Sequence, residues 1–383
     1  MKSISTAALL ILPVVLAAGG NQPAKVALLR VPGGGIQPQV RIDAGGTLHM
    51  VYYKGDAGHG DIDYVRSRDG GMTFSAPLCV NSVAESAIAA GNIRGASIAI
   101  GKNGRVHVAW NGSHSLTPGP VYGKEPMLYT RMNDAGTAFE PQRDLIQTAR
   151  GIDGGGAVAA DSEGNVYVVW HAPAPGTEGE GNRRVWIAHS TDNGAHFARE
   201  QSVWSRPTGT CGCCKLDAFA DRNGLLYVLY RSATETVHRD IYLLVSRDHG
   251  KTFEGSDISP WNVGACVMSS EAFAESPTGV LAAWETEKQV YFGRINSSGG
   301  LLPVAAPGTG QNRKYPAVAV NEKGELLFVW TEGMAWEKGG RVAWQVYDKE
   351  GKPTAEHGKV EGVPAWSLVA AFAKPGGNFT IVY

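Results

Sequence analysis

The segment Ser67-Arg68-Asp69-Gly70-Gly71-Met72-Thr73-Phe74 decides the fold, because near-copies of it return at 190–197 and 246–253. Each copy follows an alternating apolar run: Ile62-Asp63-Tyr64-Val65, Val185-Trp186-Ile187-Ala188 and Ile241-Tyr242-Leu243-Leu244. A short polar segment with glycine after such a run turns a strand back on itself. The aspartate can accept hydrogen bonds from turn N–H groups, glycine can take φ > 0, and the closing phenylalanine can pack back on the strands. A stretch of this kind that recurs implies a chain built from similar units.

A second repeat accompanies the first: a strand, a tight turn of the form Asp-x-x-Gly, and a second strand ending in an aromatic residue. The turn glycines are Gly46, Gly104, Gly164, Gly224, Gly279, Gly324 and Gly377, separated by 58, 60, 60, 55, 45 and 53 residues. The second strands end at Tyr52, Trp110, Trp170, Tyr230, Trp284, Trp330 and Tyr383. Units of this size match four-stranded propeller blades. Outer hairpins follow the pairs clearly in units one, three and four, and in worn form at 131–139, 294–301 and 346–353. The seventh pair ends the chain without one, so the segment 25–30 is expected to supply its missing outer strand. The expected fold is therefore an all-β propeller of seven four-stranded blades, closed by pairing of its N- and C-terminal strands; six blades is the alternative if the seventh pair belongs to the first blade.

The pattern Ser-x-Asp-x-Gly-x-Thr-Phe resembles the Asp-box of sialidase-like β-propellers, and the resemblance covers nearly the whole chain after residue 19. It implies that Asp69, Asp192 and Asp248 are structural turn residues. It also implies a chain that recognises or hydrolyses an acidic glycan at the channel mouth, if an enzyme then a glycoside hydrolase of exo-sialidase type, with arginines for the substrate carboxylate, a Tyr–Glu nucleophile pair and an Asp acid; the alternative is a non-catalytic propeller that binds a protein, a glycan or, through the Cys-x-Cys-Cys cluster, a soft metal. Arg30-Val31-Pro32 resembles the Arg-Ile-Pro motif of that family, although three glycines follow it and Gly46 lies 16 residues on.

Composition narrows the partners. The chain has 383 residues, Lys+Arg 35 against Asp+Glu 36, and a formal net charge of −1, a balance that argues against a nucleic-acid partner. Lys2 followed by the apolar run 7–18 reads as a signal peptide over 1–19, leaving a single domain at 20–383. A secreted or periplasmic monomer without a membrane span is expected.

Propeller topology places the aspartate turns at one end and the loops between blades at the other. Long loops at 54–61, 111–126, 171–184, 231–240 and 331–341 should carry function. Residues on or before first strands gain weight, among them Arg94, Asp153, Lys215, Asp217, Glu271, Arg313, Lys314 and Tyr315. From these come the candidate sets: Arg94, Arg231 and Arg313 with Trp336 for binding, Tyr315 and Glu271 as nucleophile pair, and Asp56 or Asp61 as acid.

Five cysteines remain. Cys211-Gly212-Cys213-Cys214 and Cys266 occupy equivalent positions in neighbouring units, so they should meet at the channel mouth. A disulfide from Cys266 to one of the group is expected, with Cys79 a buried thiol. The alternative is a soft-metal site for copper(I) or zinc on Cys211, Cys213, Cys214 and Cys266; no metal or cofactor is favoured.

Overall fold

The computed structural model describes residues 24–113, 125–310 and 312–383. The expected signal peptide lies outside them. Seven sheets stand in a ring. Six are four-stranded antiparallel blades in simple chain order, at 36–79, 97–144, 157–202, 217–259, 272–305 and 313–363. The seventh pairs Ala370–Ala373 with Phe379–Val382, and its third strand is the N-terminal Val26–Leu29. Among the described residues the only helical elements are 3-10 turns, and none is long and apolar enough to cross a membrane.

The ring closes through both termini. Val26–Leu29 runs parallel to Phe379–Val382 in the register Val26 to Phe379 through Leu29 to Val382. Among the described residues it is the third and outermost strand of its sheet, where four strands were expected. The innermost strand of each blade contacts those of its two neighbours, and Ala370–Ala373 contacts Ile36–Ile42.

The blades are apolar on both faces, which an isolated sheet could not bury. An apolar cluster fills each gap between adjacent blades; Tyr53, Ile98 and Trp110 join blades 1 and 2, and Leu327, Val329 and Phe379 join blades 6 and 7. Trp110, Trp170 and Trp284, three of the seven strand-ending aromatics, are almost fully buried. Burying an aromatic side chain of this size removes 150–250 Å² of surface from water, roughly, so ring closure is driven by stacking sheets face to face.

The turn chemistry matches the sequence pattern. All seven turn glycines have positive φ, from 70° at Gly104 to 122° at Gly279. In the first aspartate turn the Ser67 hydroxyl donates to Asp69 Oδ1 at 2.7 Å, and the amide of Thr73 donates to the same oxygen at 2.9 Å. The turns at Asp192 and Asp248 repeat this pattern. The worn hairpins keep the same i to i+4 amide bond with Asn133, Asn296 and Asp348 as acceptors. These turns sit with the inner-pair turns: the Asn193 amide donates to the Gly164 carbonyl at 2.8 Å.

Candidate functional site

At the end remote from the aspartate turns, the loops before and within blades 2 and 3 enclose a cavity of about 950 Å³. The sequence folds this way because no short turn connects strands here. The loop of blade 3 at 171–184 contributes Pro173 to Gly179, the connection before it contributes Arg150 to Asp153, and the connection before blade 2 contributes Arg94. Trp336, from the blade 6 loop, closes the far side.

Arg94 and Asp153 form its polar centre. Arg94 Nε donates to the Asp153 carbonyl at 2.7 Å, Nη2 to Asp153 Oδ1 at 2.5 Å, and Nη1 to the Ala90 carbonyl at 2.7 Å. The Asp153 side chain remains 45% exposed against 20% for Arg94. A ligand can therefore reach the carboxylate while the guanidinium is held in place. Arg183 stands behind them, its Nε donating to His171 Nδ1 at 3.1 Å and Nη2 to the Gly151 carbonyl at 2.8 Å. Burial lowers the pKa of the Arg183 guanidinium, against the pull of Asp153 and Glu180. His171 in turn donates from Nε2 to the Cys214 carbonyl at 2.9 Å. Burial foremost, with Arg183 beside it, holds this histidine down at about 3, so it is neutral at physiological pH.

Trp336 is 59% exposed and stands edge-on to Trp366, ring centroids 4.6 Å apart. An exposed indole steadied by a second ring is a stacking platform for the apolar face of a sugar.

The other expected site residues go elsewhere. Arg231 is buried, donating from Nε to Ser269 Oγ at 2.9 Å and from Nη1 to the Arg239 carbonyl at 2.6 Å. Arg313 is equally committed, to Glu332 Oε1 at 3.2 Å, Gln289 Oε1 at 3.0 Å and the carbonyls of Ala306 and Pro307. The expected triad is thus not assembled: of the three, Arg94 alone faces the cavity, because Arg231 and Arg313 are buried between blades.

Tyr315 and Glu271 line a small space of about 50 Å³ on the ring axis, shared with Arg41, Lys215 and Asp217. No hydrogen bond joins the two; Glu271 Oε2 has no partner, and burial raises this carboxyl well above its ordinary range. Burial likewise raises Tyr315 and Asp217 and lowers Lys215 and Arg41. Asp56 sits at a hairpin tip, accepting from the Gly58 amide at 2.9 Å. Asp61 accepts from Asn81 Nδ2 and from the Glu85 amide, each at 2.7 Å, which makes it a loop brace. Arg30 follows the closing strand of blade 7, with its guanidinium 4.0 Å above the Tyr383 ring, and does not begin a first strand.

The cysteine loops share this end of the ring. Cys213 is bonded to Cys266, stapling the approaches to blades 4 and 5 as the repeat spacing implied. Gly154 passes so close to this loop that a Cβ there would lie 1.9 Å from the Cys214 carbonyl oxygen. Cys211, Cys213 and Cys214 Sγ all lie within 4.8 Å of one another, so in a reduced chain they could hold a soft metal. With Cys213 oxidised, two thiols of that set remain. Cys79, expected buried, is exposed at the strand Leu78–Cys79, because that outermost strand has no neighbour to cover it.

Sequence reasoning selected Arg94, Asp153, Trp336 and the 171–184 loop, and missed Arg150 and Arg183. Arg183 opens the third strand of blade 3, Arg183–Ser190, where only the loop length hinted at a lining role.

No protein-family model and no curated protein sequence matches the chain. Solved structures do match it at the level of fold. An α-L-arabinanase from Penicillium chrysogenum, solved with arabinobiose, superposes with a TM-score of 0.55 at 14% identity, covering 84% of this chain and 95% of that one. An α-L-arabinofuranosidase from Fusarium graminearum gives 0.53 at 12%, covering 82% and 93%. A Hadza microbial sialidase gives 0.51 at 12%, covering 81% and 68%. The chain thus has the fold of the sialidase-like propellers.

Proposed function

We propose that the cavity at Arg94 and Asp153 binds an acidic glycan, in a chain exported from the cytoplasm after removal of residues 1–19. The observation that carries this reading is the pairing of a braced guanidinium with an accessible carboxylate opposite an exposed indole. A guanidinium fork grips a carboxylate in two parallel hydrogen bonds, and an aromatic ring accepts the sugar face. A volume of about 950 Å³ accommodates more than one sugar ring, being at the upper end of small-ligand sites. Glycan-active neighbours with the same fold support the substrate class by analogy.

If the bound glycan is cleaved, Asp153 is the group placed to move a proton. It is exposed to ligand, and Arg94 holds its side chain in place at 2.5 Å. A nucleophile of the Tyr–Glu type is not part of this proposal, since no tyrosine is among the described residues lining the cavity. The pairing of Asp153 with Arg94 favours a second reading, a binding propeller that recognises the glycan without turning it over.

The test is a glycan array followed by titration calorimetry with the wild type and Arg94→Ala. Binding restricted to sialylated or uronate-containing glycans, weakened at least about tenfold by the substitution, about 1.4 kcal/mol, supports the proposal. Equal binding of neutral and acidic glycans, or none, overturns it.

A further inference from the structure

The glycan site makes no use of the cysteines, whose arrangement carries chemistry of its own. The disulfide Cys213–Cys266 joins the loops before blades 4 and 5, and Cys266 is exposed. Beneath it Cys211 and Cys214 are free thiols, each 1% exposed. Cys211-Gly212-Cys213-Cys214 gives the two the Cys-x-x-Cys spacing, and their Sγ atoms are 3.0 Å apart. Cys211 Sγ is also 3.6 Å from Cys213 Sγ. A buried thiol therefore touches one sulfur of a disulfide whose other sulfur faces water.

We infer that the four cysteines form a thiol–disulfide exchange centre, in which the buried Cys211/Cys214 pair hands its electrons to the surface disulfide Cys213–Cys266. Cys211 Sγ lies 3.0 Å from Cys214 Sγ and 3.6 Å from Cys213 Sγ, in reach of both partners. At alkaline pH Cys211 gives its proton to water, and the Cys211 thiolate attacks Cys213 Sγ. The Cys213–Cys266 bond breaks, and Cys266 leaves as a thiolate that takes a proton from water. Cys214 then gives up its proton and attacks Cys211, forming Cys211–Cys214 and releasing Cys213 as a thiolate, which is protonated in turn.

One disulfide is made, one is reduced, and two thiols appear at the surface in place of two that were buried, so no external oxidant or reductant is consumed. Direct attack by Cys214 on Cys213 would bond adjacent residues, whose Cα atoms are about 3.8 Å apart, closer than an ordinary disulfide requires. The route through Cys211 avoids this. The surface thiols so released are nucleophiles toward a disulfide of another molecule.

The experiment uses the whole chain in its one-disulfide state, verified by intact mass, incubated natively with excess iodoacetamide near pH 8 and no reductant. Samples are quenched in acid and mapped by peptide mass spectrometry. Alkylation of exposed Cys79 reports that the reagent is active. Carbamidomethylated Cys213 and Cys266 together with a new Cys211–Cys214 link are expected, and Cys211→Ser should abolish Cys266 alkylation. Should that variant fail to fold, Cys214→Ser is expected to stop at a Cys211–Cys213 link with Cys266 alkylated. An intact Cys213–Cys266 bond after Cys79 has fully reacted overturns the inference. So does Cys266 alkylation at the wild-type rate in Cys211→Ser.

Discussion

Arg94 Nη2 lies 2.5 Å from Asp153 Oδ1, and its Nε donates to the carbonyl of the same residue at 2.7 Å. One side chain thus ties the approach to blade 2 to the approach to blade 3, and presents a fixed cation to the cavity beside a carboxylate that is 45% exposed. Replacing Arg94 by Lys keeps the charge but loses the fork, since an ammonium cannot make the planar bidentate contact. Arg94→Lys is expected to retain the fold by circular dichroism and to bind an acidic glycan more weakly than wild type but more tightly than Arg94→Ala, by titration calorimetry.

Trp336 is 59% exposed and contributes little to the core. Trp336→Ala is expected to leave the unfolding temperature within about 1 °C of wild type, because surface substitutions shift stability by about 0.5 kcal/mol or less. Glycan affinity should fall by roughly 1–3 kcal/mol, the range for losing an aromatic stacking partner. Differential scanning fluorimetry and calorimetry separate the two effects.

Ring closure depends on Val26 pairing with Phe379. Phe379 is fully buried in the cluster between blades 6 and 7. Phe379→Ala is expected to cost about 3–5 kcal/mol, read as a lower urea midpoint.

Two buried histidines give the fold a pH dependence. Burial foremost holds His107 and His171 at about 3, against about 6.5 in an unfolded chain. His107 is packed against Tyr129, whose hydroxyl is 2.7 Å from its Nδ1, with Asn193, Arg105 and Arg131 nearby. Between those two pKa values the unfolded chain takes up protons that the folded chain refuses. The stability from neutral histidine is therefore full above about pH 6.5 and is lost as pH falls toward 3. Glu285, raised to about 6 by burial despite Lys314, acts in the opposite direction, so the comparison must be between variants. His107→Phe is expected to show a shallower loss of stability from about pH 6.5 to pH 5, by roughly 2 kcal/mol, in urea titrations at each pH.

The aspartate turns hold the other end. Burial opposes ionisation of Asp69 slightly, but the hydroxyl and amide of Thr73 and the Ser67 hydroxyl bring it to about 2. This contribution is present above about pH 4 and lost as pH falls through 2. The turn is solvent-facing, so the effect is screened. Asp69→Ala is expected to lower the unfolding temperature by about 1–3 °C and to leave glycan binding unchanged.

What could be read in the sequence was whatever repeats. Gly46 through Gly377 mark positive-φ turns that only glycine or asparagine takes readily, so seven blades, their order and the end bearing the aspartate turns were all legible. The pairing of Cys266 with the 211–214 group followed from the same periodicity. The parallel direction of the closing strand was not legible, since it depends on how Val26–Leu29 meets Phe379–Val382. Side-chain convergence was the least legible. Arg94 and Arg313 stand on or before first strands and Arg231 ends a second strand, yet Arg231 and Arg313 are buried and only Arg94 meets an exposed carboxylate. Arg183 reaches the cavity through the length of one loop, which carries no periodic signal.

The central claim is that ligand chemistry sits at Arg94 and Asp153, at the end of the ring remote from the aspartate turns. A crystal soaked with a sialic-acid or uronic-acid oligosaccharide tests it most directly. Density for the sugar between Arg94 and Trp336, with its carboxylate at the guanidinium, is expected. Density on the ring axis beside Tyr315 and Glu271, or at the Asp69 end, would contradict it.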